Sequence, residues 1–236
     1  MRLYELSLPV LAPLLLQQGK RVRRDTLRLP EAEGDRTGQQ GHGRPLRLLI
    51  LGDSAAAGVG ATHQHQALSG QLIQSLTPHH PVDWQLIARS GLTTVNALAF
   101  LQSQSPRPAD VLVLSLGVND VTSRISVKEW IFQYENILNY ARQQLGVSHI
   151  LATAVPPMHQ FPALPQPLRW YLGQRAQHFN QTLAAHLHSA NDGEFVSIAG
   201  QLTGQHMASD GFHPGPAVYQ AWANTIAQRI LTRLSQ

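Results

Sequence analysis

A chain of 236 residues, 43% hydrophobic and 14% charged, is long enough to bury one large core and too apolar to be disordered throughout. It contains no cysteine, which excludes a disulfide framework, a thiolate metal site and a cysteine nucleophile, and fits a reducing, cytoplasmic compartment. The formal charge of +4 is not gathered into a basic stripe interleaved with aromatics, so no nucleic-acid partner is expected.

Residues 1–45 read as an N-terminal extension and linker, and residues 46–236 as the main domain. The run "LSLPVLAPLLL" (6–16) is too short to span a bilayer as a helix. Its flanks, with only Arg2 ahead and "QQGKRVRR" behind, argue against a cleaved signal peptide. Two readings stay open for residues 1–24. One is a helix packed on the domain's own core. The other is peripheral contact with an anionic membrane through the apolar run and the bases Lys20, Arg21, Arg23 and Arg24. Residues 25–45 are polar, glycine-rich and aperiodic, and read as a surface connection.

From Leu46 onward, short apolar runs alternate with longer amphipathic ones. Strands are expected over 46–51, 84–88, 110–116, 149–155 and 194–198, and helices near 66–77, 93–103, 127–145, 168–190 and 215–234. Apolar strands alternating with helices imply a parallel sheet buried on both faces. The fold class is therefore α/β, a three-layer α/β/α sandwich with right-handed crossovers. The working site of such a sheet lies at the carboxyl ends of its strands.

Those ends carry chemistry. The first strand runs into "GDSAAAGVG" (52–60), which puts Ser54 at the amino end of an expected helix, where free N–H groups favour negative charge. The small residues around it read as room for the backbone to crowd a tetrahedral intermediate. The second strand ends in "RSGLTT" (89–94) with Gly91, and the third in "GVND" (117–120) with Asn119. After the fifth comes "SDGFHPG" (209–215), with Asp210 and His213. This set suits acyl transfer. Ser54 needs a base, His213 is of the residue type that most often serves as one, and Asp210 can hold the imidazole tautomer. The N–H groups of Ser54 and Gly91 and the amide of Asn119 can meet a developing oxyanion. Gly91 would leave the substrate room that a Cβ would take.

In that order and at comparable spacing, the four blocks resemble those of the SGNH (GDSL-type) hydrolases, over about 190 residues from Leu46 onward. The resemblance implies a flavodoxin-like sheet of five parallel strands, a Ser54–His213–Asp210 triad and an oxyanion hole from Ser54, Gly91 and Asn119. It also implies a serine esterase acting on carboxylic esters of short to medium acyl chains, with a small-molecule or lipid ester as partner and no metal or organic cofactor. Thioesterase and lysophospholipase activities belong to the same family, and a catalytically silent binding domain is the reading from another class. Ala55 stands where the name-giving motif has leucine, a position with no catalytic group.

A nucleotide-binding reading fails in detail. "GVGATH" lacks the third small residue, Arg89 stands where a ribose-binding acid is expected, and no lysine follows the glycines. The histidine pairs lack a neighbouring acid at metal-ligand spacing. Asp53 and Asp120 read as structural acids bracing their turns. The proline-rich loop 156–173 follows the fourth strand at the site end, and its Met158, Phe161, Leu164 and Trp170 are candidates for an acyl pocket. "VTSRIS" (121–126) is a candidate border of the entrance.

Overall fold

The computed structural model describes residues 2–189, 191–197 and 206–236. Five strands form where apolar runs were expected: β2 (Leu46–Gly52), β3 (Val82–Ala88), β4 (Val111–Ser115), β5 (His149–Thr153) and β6 (Gly193–Val196). All their pairings are parallel. Residue 198, the end of the last expected strand, and residue 190, the end of the helix expected over 168–190, lie outside the described residues.

A sixth strand corrects the expected count of five. Thr37–Gln40, here β1, pairs antiparallel with β3 at the sheet edge, in the register Thr37 to Gln85 and Gln40 to Val82. The sheet order is β1-β3-β2-β4-β5-β6. Counting the parallel strands alone, this is the doubly wound order of flavodoxin-like sheets, whose direction of winding reverses between β2 and β4. Ligands bind at that switch point.

Alternate strand residues face opposite layers. Leu49, Leu51, Leu112 and Leu114 join one core with α3 (Thr94–Ser103), α5 (Val127–Leu145) and α6 (Leu168–His188). Leu48, Ile50, Val111 and Val113 join the other with α2 (Leu68–Leu76) and α7 (Pro216–Leu234). Each fully buried leucine or valine stabilises the fold by roughly 1.5–3 kcal/mol relative to exposure. The helix ends are set locally. Ser126 caps α5 by accepting from the Glu129 N–H, and Gly146 ends it in a left-handed turn.

The N-terminal run becomes a 23-residue helix, α1 (Leu3–Asp25), packed antiparallel to α6. The Tyr4 hydroxyl bonds His178 Nδ1 at 2.8 Å near one end. Near the other, Gln18 exchanges hydrogen bonds with the Gln166 carbonyl and the Leu168 N–H. Tyr4 and Leu15 are buried, so the packed-helix reading holds for one face. Among the described residues, no helix is long and apolar enough to cross a membrane.

The linker is not a plain surface connection. Ala32 is buried, its N–H donates to the Ala57 carbonyl, and Gln64 Nε2 donates to the carbonyls of both residues. The chain after α1 is thereby sewn to the segment that follows β2.

Candidate active site

β2 ends at Gly52, and the Asp53 N–H still donates to Ser115 of β4 before the chain leaves the sheet. The Asp53 carboxylate accepts the Ala55 N–H at 3.1 Å and so folds the turn over Ser54. Burial pushes that carboxyl up to about 7, and the nearby Asp120 adds to the effect. No helix follows Ser54, contrary to the expected pattern. Residues 54–60 form consecutive turns, with the Val59 N–H reaching back to the Ser54 carbonyl. The small residues there also have a different reason from the one expected. Gly60 has φ +101°, and a Cβ on it would come within 2.2 Å of the Pro214 carbonyl. They let the serine turn pack directly against the loop that carries the histidine.

That loop is clasped by an antiparallel bridge between Met207 and Pro214. Inside it, Asp210 Oδ1 accepts the N–H groups of Phe212 and His213 at 2.9 and 3.0 Å. Its other oxygen, Oδ2, lies 2.5 Å from His213 Nδ1. His213 Nε2 lies 2.8 Å from Ser54 Oγ. The three side chains form one hydrogen-bonded line. Burial pushes the Asp210 carboxyl up, but the N–H groups of His213 and Phe212 and the imidazole outweigh it and hold the group below the usual carboxylate range.

The expected oxyanion donors gather beside Ser54. Among the described residues, the backbone N–H groups of Ser54 and Gly91 have no acceptor. Asn119 sits on the short helix α4 (Val118–Val121), and its Nδ2 donates to the Leu92 carbonyl at 3.0 Å. That bond fixes the amide and leaves its second hydrogen for the cavity. Gly91 has φ +78°, and an added Cβ would meet no protein atom within 4 Å. Glycine is required here for its left-handed backbone; crowding by the protein plays no part.

Ser54, Gly91, Asn119 and His213 line one cavity of about 1200 Å³. Met158, Phe161 and Leu164 of the proline-rich loop form part of its wall, whereas Trp170 does not. Val121 to Arg124 border it, as anticipated. Among the described residues, no three potential metal ligands converge.

The sequence pattern of the GDSL-like lipase/acylhydrolase family matches residues 50–221. The chain belongs to that family. No curated protein is significantly similar to this acylhydrolase in sequence. Its fold is similar to that of Est24, a carbohydrate acetylesterase from Sinorhizobium meliloti, at TM-score 0.63 and 17% identity, over 79% of this chain and 99% of that one. It is also similar to the aryl esterase of M. smegmatis, at TM-score 0.66 and 17% identity, over 79% and 98% of the two chains. A lipase/acylhydrolase from Enterococcus faecalis matches at TM-score 0.58 and 19% identity, over 79% and 96%. As a member of that family the chain is a carboxylic ester hydrolase, and it shares the three-layer α/β/α fold of those structures.

Two supports of the site in this acylhydrolase were not visible in its sequence. Glu31, in the linker, accepts the Ser90 N–H at 2.6 Å and pairs with Arg36 at 2.6 Å. Arg36 in turn donates to the Ala88 carbonyl, so the loop presenting Gly91 is braced from outside the main domain. The second support is a buried chain. Trp130 Nε1 donates to Thr94 Oγ1, and Thr94 donates through its N–H and hydroxyl to Asp120. It ties the helix of Asn119 to the start of α3. Burial raises the Asp120 carboxyl above its ordinary value, against the N–H and hydroxyl of Thr94. Asp53 and Asp120 both brace turns, as the sequence implied.

Proposed function

We propose that this acylhydrolase cleaves carboxylic esters of short to medium acyl chains through an acyl-enzyme on Ser54. The observation that carries the reading is the 2.8 Å contact between Ser54 Oγ and His213 Nε2, with Asp210 on the other ring nitrogen. Ser54 Oγ attacks the ester carbonyl while its proton passes to His213 Nε2. The new oxyanion accepts from the N–H groups of Ser54 and Gly91 and from Asn119 Nδ2. Asp210, held ionised, stabilises the imidazolium. The tetrahedral species collapses, and the departing alkoxide takes the proton from His213. Water then gives a proton to His213 and attacks the acyl carbonyl. A second collapse releases the acid and returns the proton to Ser54.

Met158 and Phe161 form the acyl-side wall. Both are almost wholly buried, yet border the cavity. A carbohydrate ester, the substrate class named for the Sinorhizobium structure, suits this wall less well, because apolar side chains dominate it. Thioesters and lysophospholipids share the acyl-enzyme, and α1 favours the amphiphilic esters among all these. The direct test has two parts. Mass spectrometry of enzyme quenched during turnover of p-nitrophenyl octanoate should show the acyl adduct on Ser54. Asn119→Ala should stay folded and lose about 10²–10³-fold in kcat. A loss confined to KM would remove Asn119 from the oxyanion hole.

We also infer that the enzyme contacts an anionic membrane surface peripherally through residues 1–24. Leu3, Leu6, Val10 and Leu14 form an outward stripe on α1 at helical spacing, with Val10 82% exposed. Lys20, Arg21, Arg23 and Arg24 follow it, whereas the acids of the segment are Glu5 and the terminal Asp25. Asp25 pairs with Arg21 and Arg24, which leaves the segment's excess positive. Apolar side chains flanked by bases match an anionic lipid surface, and two copies of α1 meeting each other would lack acids for these bases. In flotation with vesicles, the full chain should bind those containing phosphatidylserine and not pure phosphatidylcholine. High salt, or Leu6→Ser with Val10→Ser, should release it. Equal recovery with both vesicle types, or a dimer in solution broken by the same substitutions, would count against it.

A further inference from the structure

The inner face of α1 is part of the substrate cavity. Leu8, Ala12, Leu15, Leu16, Gly19 and Val22 all line it. On a helix they fall within about one third of the circumference, and this arc is separate from the outward stripe. Opposite them stand Leu168, Tyr171 and Leu172 of α6, together with Phe161 and Leu164. The cavity is therefore a groove between two antiparallel helices, bounded at its sides by the loops that follow β4 and β5.

Its two ends can be told apart. The C-terminal end of α1 leads through Leu27 and Leu29, both lining the cavity, to Glu31, which bonds Ser90 beside Gly91. This is the catalytic end. At the other end Tyr4 packs on Tyr171 and bonds His178, one turn from Arg175 on α6. Arg175 lines the cavity and donates to the Ile125 carbonyl, and with Ser123, whose hydroxyl donates to the Asp120 carbonyl next to Asn119, it forms a polar part of the side wall. The groove thus starts at the reacting carbonyl and runs along α1 toward Leu8, its lining apolar apart from Arg23 on α1 and polar residues across from it, Ser123, Arg124 and Arg175 among them.

We propose that α1 is one wall of an acyl-chain site and acts as its ruler, so that esters of medium acyl chains are preferred over acetyl esters. The inference rests on Ser54 being the acylated residue. From Val22 to Ala12 the helix advances about 15 Å. An extended carbon chain with bonds of ~1.5 Å advances about 1.25 Å per atom. The apolar stretch therefore holds about twelve carbons. Ala12 and Gly19 are the two smallest lining residues of α1, and the space over Gly19 is bordered by the flexible Arg23 side chain, whose end lies 3.7 Å from the position of an added Cβ.

The test uses the full chain and p-nitrophenyl acetate, butyrate, octanoate and dodecanoate. Wild-type kcat/KM should be at least about tenfold higher for octanoate or dodecanoate than for acetate. Gly19→Leu places a better helix former at a position where the new Cβ meets only the end of the Arg23 side chain, at 3.7 Å. It should lower the dodecanoate-to-acetate ratio at least about tenfold and move the optimum to butyrate. Ala12→Leu, two turns further from Ser54, should lower dodecanoate and leave octanoate preferred. Two different cut-offs, ordered by position, are not what general disruption of α1 would produce. A wild type that prefers acetate, or variants that lower every ester in parallel, would overturn the ruler. Absence of turnover with all four esters would instead overturn the esterase reading on which it rests.

Discussion

Ser54→Ala is expected to lower kcat/KM for p-nitrophenyl esters by about four orders of magnitude or more, because the nucleophile and the reason for the base go together. The side chain's hydrogen bond is to His213, and the turn around it is held by Asp53 and by backbone bonds. The variant should therefore keep a melting temperature close to that of the wild type. It should also lose both the acyl adduct and labelling by a fluorophosphonate. Residual catalysis of about 10³-fold over water would still come from the oxyanion donors and binding. A folded Ser54→Ala protein with wild-type turnover would show that the hydrogen-bonded line does not carry the reaction.

Asp210→Asn is expected to cost about three to four orders of magnitude in kcat, with little change in KM. An asparagine oxygen can still accept the N–H groups of Phe212 and His213, so the loop should keep its shape. The side-chain nitrogen would then face His213 Nδ1 as a donor and favour the tautomer that carries its proton on Nε2. In that tautomer the ring cannot accept from Ser54. Since Asp210 in the wild type is held below the usual carboxylate range, it stays ionised as pH falls through the values where carboxylates ordinarily protonate. The acid limb of the wild-type rate profile should therefore not come from Asp210. A structure of the variant with an intact loop and a rate within tenfold of wild type would remove the tautomer argument.

The parts legible in the sequence are those with local or periodic causes. Five strands announce themselves as apolar runs, and the main helices follow the expected spans to within a few residues. The blocks carrying Ser54, Gly91, Asn119, Asp210 and His213 converge because each ends or follows a strand of one parallel sheet. What escaped depends on contacts distant in sequence. Nothing in "TGQQ" reads as a strand; it becomes one only by pairing with the edge of β3. Glu31 looks like any acid in a polar linker until its oxygen is seen under Ser90. The turns after Ser54 mimic a helix start in composition, because small residues serve helices and close packing equally well. In the sequence, residues 1–45 read as an extension and linker; that Leu8 to Leu29 border the cavity and Glu31 braces the Gly91 loop depends on contacts distant in sequence.

The sheet's two edges have a consequence of a different kind. β1 and β6 are four residues each, whereas β2 and β3 are seven. Without β1, the apolar "VDWQLIA" of β3 would offer a long open row of backbone donors and acceptors to any extended segment that met it. A short polar strand occupies that row and leaves little of its own edge to copy. The N-terminal segment therefore also governs solubility. A chain clipped after residue 40 would be prone to aggregate edge to edge even where its serine site survived.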